Sequence, residues 1–531
     1  VTNSANLPAP YAGVDDKTPT AALQNPFCEN LLNFNVTQAG ISLRHGDSKY
    51  AVTTFAANTK SPKALGVLGG EIFAAIYNST ISKMQIYDAT DLSTVAFTSA
   101  ASLGDANMFP FVFNQHLYFF TELNYAPGFV YDGATWSLAG FTGFPGTAGI
   151  RGAGSFNHRI YLIQFGLAST DGAVYHYGGI DAISGAVTTV DLSSIVEEKT
   201  QIYIISPITV SNNAENRSYL AFVCASGEVL FYSGSYPDSA SWALAGQAKI
   251  GRPLGPSAYI KYQGDTLILC DSGVVSLRDL FLDGSEQAID LSVNANIQRR
   301  WIYMVENRPP ILAGTDLALI SGVWDNKNHR IIIPFPAYLD SEGAVQTGAS
   351  YFVFDTLLKS WSVHRSHGVD ALNHILAQAV IFNRKVLLIS RDVTANSRSI
   401  MIYKKEGSTG FMDRNVDDTA DVGYDYEMLS APIPFPKTAV YETTQIEPIL
   451  ESDLYAQTSY NFVADFGRQT SADQKTDAAT TSVAKPAANV GMQNITFVQV
   501  KMSGTTVAAK TVGLDLYSYN VWYNSGETGS R

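Results

Sequence analysis

Three carboxylates stand in like contexts: Asp88 in "IYDATDLS", Asp132 in "VYDGATWSL" and Asp355 in "VFDTLLKSWSV". Each follows an aromatic residue and precedes a turn, and Trp361 closes the third example. A pair of such carboxylates flanking a scissile bond would suit glycoside hydrolysis, one serving as acid and the other as base or nucleophile. Repetition argues otherwise. Residues at equivalent places in successive units lie around the rim of a closed structure and do not converge on its axis. Asp is also a residue that turns prefer, because its side chain hydrogen-bonds backbone N–H groups a few positions on. The three are therefore read as turn-capping residues.

The run Asp132-Gly133-Ala134-Thr135-Trp136 departs from the sialidase Asp-box, which has one residue between Asp and Gly. A second candidate for chemistry is "HRSHGVDALNH", with His364, His367 and His374 around Asp370. A catalytic zinc needs three ligands held on a defined element, and this segment leaves a strand for a polar loop, so a surface grouping is expected. No G-x-S-x-G elbow, phosphate-binding loop, H-E-x-x-H or C-x-x-C pair is present. Cys28, Cys224 and Cys270 show no ligand spacing, and "AFVCA" and "LILCD" suit reduced core thiols. Arg299 and Arg300 beside Trp301 are too few charges for a nucleic-acid footprint, and read as solvated positions on a packed helix. The sequence thus predicts no catalytic, cofactor or metal site.

The elements that hold these residues are mainly strands. The chain has 531 residues, with 28 Tyr, 27 Phe and 42 Gly at 46% hydrophobic content, which favours strands joined by tight turns. "FVFNQHLYFF" (111–120), "GSFNHRIYLI" (154–163) and "VIFNRKVLLI" (380–389) share one pattern. Asn114, Asn157 and Asn383 stand where a hairpin turn needs positive φ or a side-chain hydrogen bond. Weaker echoes are "FVCASGEVLFY" (222–232), "YIKYQGDTLILC" and "VWDNKNHRIIIPF". Together with the aromatic-Asp turns these give units roughly 40 to 65 residues apart, the period of propeller blades. A blade cannot bury both faces alone, whereas a ring of blades can.

The predicted fold is mainly β: an irregular β-propeller of six to seven blades with a β-sandwich-like platform built from the C-terminal and N-terminal segments. Three regions are expected. Residues 1–55 form an extended segment with a short helix in "NPFCENLLNFNV"; 56–410 form the propeller, with a helical insertion near 293–308; and 411–531 form the platform, with an acidic linker or exposed loop at 414–427.

The formal charge of −13 argues against a surface that grips nucleic acid. The opening residues lack a basic and apolar leader, and no stretch is long and apolar enough for a membrane helix, so a soluble chain made in the cytoplasm is expected.

The order of short motifs resembles the tail-tube and nozzle (tail hub) proteins of short-tailed bacteriophages. Those motifs are Pro10 with Gly13-Val14-Asp15, Pro19 and Pro26, "LLNFNV" (31–36), "LRHG" (43–46), the aromatic-Asp-Thr-to-Trp turn (354–361) and "IEPILESDLYAQTSYNFVADFG" (446–467). The resemblance implies a structural virion protein with no active site: a homohexamer around the tail axis, below a head-to-tail adaptor protein, with tail fibre or spike proteins outside. Double-stranded DNA would pass through it without specific binding. The readings that differ in class are a propeller glycosidase, needing two carboxylates in the axial pocket, and a propeller that binds carbohydrate or protein.

Overall fold

The computed structural model describes residues 2–18, 22–45, 47–56, 60–100, 106–122, 128–144, 149–165, 172–198, 200–212, 215–283, 296–306, 320–339, 345–365, 374–392, 397–405, 413–414, 421–422, 424–434, 440–452, 458–464, 469–470, 474–475, 492–493, 497–505 and 514–526. His367 and Asp370 of the histidine group lie outside these residues, and nothing is described of the His374 side chain.

Among the described residues, antiparallel meanders of three or four strands follow one another along the chain and make seven blades. Blade 1 is Lys60–Leu68, Glu71–Asn78, Lys83–Asp88 and Val95–Thr98; blade 2 is Met108–Phe113, His116–Thr121, Gly128–Tyr131 and Trp136–Leu138. Blade 3 comprises Gly149–Phe156, Arg159–Phe165, Val174–Tyr177 and Thr188–Asp191; blade 4 comprises Ile202–Asn212, Glu215–Cys224, Glu228–Ser233 and Ala243–Lys249. Among the described residues blade 5 has three strands, Tyr259–Tyr262, Asp265–Cys270 and Gly273–Ser276. From it the helix Leu277–Asp283 departs to set Phe281 against Tyr219 and Phe231 of blade 4. Blade 6 is Val323–Asp325, Arg330–Leu339, Val345–Asp355 and Ser360–Arg365.

Blade 7 closes the ring with material from both ends of the propeller. His374–Phe382, Lys385–Asp392 and Ser397–Lys404 supply three strands, and Ser48–Ala56 pairs along Ser397–Lys404 as the fourth. The propeller therefore begins at Ser48, earlier than the boundary at 56 read from sequence. The hairpin pattern of the following blades starts only with Lys60–Leu68, so the closing strand has no sequence echo.

The core lies between blades. Of seven clusters of buried apolar side chains among the described residues, six lie between neighbouring blades, and the seventh runs from blades 5 and 6 into the N- and C-terminal sheets, with Phe34, Tyr426 and Met502. Phe73, Met84 and Ile86 of blade 1 meet Leu117, Phe119 and Phe129 of blade 2, and Leu65, Ile72 and Ile76 of blade 1 meet Phe382, Leu387 and Ile389 of blade 7. This is why the strands alternate little in polarity: both faces of each blade are covered.

The short helix expected in "NPFCENLLNFNV" is replaced by two strands, Phe27–Leu32 and Phe34–Thr37, divided by Asn33 at φ 60°. The left-handed residue interrupts any helix. Phe27–Leu32 pairs in parallel with Gly13–Val14 and antiparallel with Asp425–Ser430, so tertiary pairing overrides local propensity. The platform joins blade 6 edge to edge. Its outer strand Ser360–Arg365 pairs with Gly13–Val14 and Phe27–Leu32, and the sheet continues through Asp425–Ser430, Phe497–Thr505 and Thr458–Ala464. A second sheet sets Leu514–Gly526 between Thr2–Pro8 and Val440–Ser452. The acidic run at 414–427, read as a linker or exposed loop, ends inside the strand Asp425–Ser430, and Asp413–Arg414 pairs with Asp421–Val422. The helical insertion is Gln298–Glu306.

Candidate functional site

First and third strands of a meander run the same way, so the turn after each emerges on one face of the ring. Asn114, Asn157 and Asn383 occupy the turns after first strands, in blades 2, 3 and 7, with φ of 44°, 47° and 48°. The next residues, Gln115, His158 and Arg384, are also left-handed, which makes two-residue turns matched to strand twist. Asn114 Nδ2 donates to the Asp181 carbonyl, and Asn157 Nδ2 donates to the Gly234 and Ser235 carbonyls. In each case the acceptor lies between the third and fourth strands of the following blade. "FVCASGEVLFY", grouped with these hairpins from sequence, instead spans the second and third strands of blade 4. Its apolar strands are alike, but its register in the meander is different.

Asp88 and Asp355 end the third strands of blades 1 and 6, and Asp132 directly follows that of blade 2. Asp88 Oδ1 accepts from the Thr90 N–H and hydroxyl at 2.8 and 2.7 Å. Asp132 Oδ1 accepts from Ala134 N and Thr135 N at 2.8 and 2.7 Å, which holds its pKa below the usual carboxylate value. Asp355 Oδ1 accepts from Leu357 N and Leu358 N, both at 2.9 Å. These carboxylates belong to separate turns and are brought together nowhere.

Trp361 is fully buried, its ring 4.8 Å from Phe354, the residue opposite it in register. His364, three residues on, is also buried, and its Nε2 donates to the Phe34 carbonyl at 3.1 Å. Burial, followed by the nearby cations Lys405, Arg44 and Arg330, lowers its pKa well below the ordinary value. A neutral core histidine results. Among the described residues no group of three or more His, Cys, Asp or Glu could hold a metal. Arg299 and Arg300 start the helix Gln298–Glu306, where their backbone N–H groups bond to Asp16, while the indole of buried Trp301 donates to the Cys270 carbonyl. All three cysteines are free and buried, and burial pushes the Cys224 thiol up to about 12.

Two constellations were not found from sequence. The first is a junction under blade 6. Arg44 is buried there: Nε donates to Asn33 Oδ1, Nη2 to the Arg365 carbonyl, and its guanidinium lies 4.1 Å from the Tyr424 ring centre. The Tyr424 hydroxyl donates to the Arg44 carbonyl, and Asn33 Nδ2 donates to the Asp425 carbonyl. Buried Asp47 faces Arg44 at 3.5 Å and Lys405 at 3.1 Å. Asn33 and Asp47 are near Arg44 in sequence, but Arg365, Lys405, Tyr424 and Asp425 are more than 300 residues away, so no local spacing announces the junction.

The second is a cavity of about 300 Å³ on the propeller axis, lined from six blades, with Pro110, Ala153, Ile205, Tyr259, Trp324 and Ile381 among its walls. Its described lining contains no carboxylate, and its one charged group is Lys261. The Lys261 ammonium donates to Ser206 Oγ and to Thr266 Oγ1. It is reached through the mouth of the channel, yet protein surrounds it on most sides. That desolvation lowers its pKa to about 8, against an opposing pull from Asp265.

No family model matches the chain, and no curated protein matches it. Solved structures that align with it include an exo-β-1,3-galactanase from Phanerochaete chrysosporium with galactose, at 10% identity over 80% of this chain and 98% of that one, with a TM-score of 0.27. BBS1N in complex with ARL6DN aligns at 7% identity over 70% of this chain and 100% of that one, TM-score 0.32. Chaetomium thermophilum Raptor aligns at 9% identity over 71% of this chain and 29% of that one, TM-score 0.27. Likenesses at this level carry no functional argument. The blade count rests on the strand pairing above.

Proposed function

We propose that this chain is a structural, non-enzymatic virion protein: the nozzle, or tail hub, subunit of a short-tailed bacteriophage. Six copies form a ring below the head-to-tail adaptor, and the genome leaves through it. One observation carries the reading. The motifs behind the family resemblance are scattered through the sequence, yet Gly13, Asn33 and Arg44 from the N-terminal set meet Trp361 and Arg365 at one junction. That residues of motifs far apart in sequence share a buried contact supports the reading.

The function then lies in assembly. Obligate oligomers hold together through large interfaces, and a propeller with an edge-joined platform offers much surface for them. The formal charge of −13 per copy suits a passage that must not retain DNA phosphates. Fibre or spike proteins would dock outside the ring. A propeller glycosidase would need two carboxylates facing the axial cavity, and its described lining contains none. Native mass spectrometry of the purified chain is expected to give a species of six times 57.4 kDa. A monomer that persists under assembly conditions, with adaptor present, overturns the reading.

A further inference from the structure

The axial cavity has the make-up of a ligand site. Pockets that hold small molecules start near ~300 Å³ and are mostly apolar with a few fixed polar groups. This one has walls from Phe109, Ile205, Tyr259, Trp324 and Ile381, with Gln378 and Lys261 as polar groups. Lys261 is preorganised within it. Two of its three donors are directed to Ser206 and Thr266, and its ammonium lies 5.6 Å from the Tyr259 ring centre.

No carboxylate neutralises this cation among the described residues. Asp265, which acts on it electrostatically, has its oxygens engaged by Thr266 N, Arg278 N and the Ser276 hydroxyl. With two donors of Lys261 fixed on hydroxyls, its third N–H is open to the cavity, where an anionic group can accept from it in a charge-assisted bond. The first strand of each blade pairs only on its outer side, so amide groups also edge the channel.

We propose that this cavity binds a small organic anion, a single carboxylate or phosphate head on an apolar body, with the Lys261 ammonium as its counter-ion. The head takes the third N–H of Lys261, and the body lies against Tyr259, Trp324 and Ile381. The site is internal to one chain, so the inference stands apart from the nozzle reading and from the oligomeric state.

The test uses 1-naphthoate and its neutral analogue 1-naphthamide as probes, titrated calorimetrically into the full chain at pH 7. Naphthoate is expected to bind once per chain, at least tenfold tighter than naphthamide. The preference disappears in Lys261→Met, survives in Lys261→Arg, and both probes are blocked by Ile381→Trp at the exposed rim. With the wild-type chain alone, naphthoate affinity falls between pH 7 and 9.5 while naphthamide affinity stays constant, which tests the idea even where Lys261→Met does not fold. Equal affinity for the two probes overturns the proposal, as does unchanged naphthoate binding by folded Lys261→Met, or no binding at millimolar concentrations.

Discussion

Gly13 and Trp361 lie 348 positions apart in the chain, yet they are partners in a parallel ladder. Gly13 has φ 77°, and a Cβ placed on it would meet the Trp361 carbonyl oxygen at 2.5 Å and the Trp361 nitrogen at 2.9 Å. Only glycine satisfies both conditions. The contact joins the start of the platform to the outer strand of blade 6, beside the Arg44 junction.

Gly13→Ala therefore loses the ladder or forces the strands apart. Left-handed backbone with a side chain costs about 1–2 kcal/mol, and the contact with backbone atoms adds to it. A loss of about 2–4 kcal/mol is expected in urea denaturation. A change below about 0.5 kcal/mol contradicts the pairing.

Asn157 combines a positive φ with bonds to blade 4, and two substitutions separate the roles. Asn157→Gly keeps the turn but loses the bonds to the Gly234 and Ser235 carbonyls. Asn157→Ala loses both. Glycine is expected to cost about 0.5–1 kcal/mol and alanine about 1 kcal/mol more, read from chemical denaturation midpoints. Equal effects would mean that the turn conformation is not under demand.

The Asp132 turn responds to acid in a direction set by its hydrogen bonds. Backbone N–H groups of Thr135 and Ala134 favour the ionised form of Asp132, so its folded pKa lies below the ordinary 3.8. A depressed carboxylate contributes stability that is present above the unfolded pKa and is lost as pH falls through the folded one. Asp132→Asn should therefore lower the melting temperature at pH 7, with the gap to wild type closing as pH falls through the folded-state pKa, below the ordinary 3.8. Asp355→Ala, which unbinds Leu357 N and Leu358 N, should cost about 1 kcal/mol. A gap that widens in acid would overturn the assignment.

Blade 3 carries a second acid response of the same sign. His176 is buried between Gln164 and Thr189, 2.8 and 3.0 Å from its ring nitrogens, and burial lowers its pKa to about 4 from 6.5. Its neutral form belongs to the folded state. Stability from this group is complete above pH ~6.5 and falls as pH drops toward 4, by up to about 3 kcal/mol. His176→Gln should flatten that slope, measured as denaturation midpoints at pH 7 and 4.5. An unchanged slope would mean that the site admits the charged ring.

The propeller was legible in sequence because its turns repeat. Asn114, Asn157 and Asn383 serve one backbone demand in three blades, and Asp88, Asp132 and Asp355 another, so each echo marks the same station of a meander. Strand Ser48–Ala56 was misplaced because closure depends on pairing with Ser397–Lys404, which local pattern does not encode. The helix expected near Leu31 failed for the same reason: Asn33 and two partner strands fix an extended path. Lys261 was invisible because its position in "YIKYQG" is that of an ordinary strand residue. Only closure of the ring sets it beside Ser206 and the axis.

Negative-stain electron microscopy of the chain, alone and with its adaptor, tests the central claim most directly. The nozzle account predicts six-fold rings with an open central channel, each subunit showing a propeller lobe beside a platform that contributes to the channel wall. Isolated propeller-sized particles in both samples would contradict it.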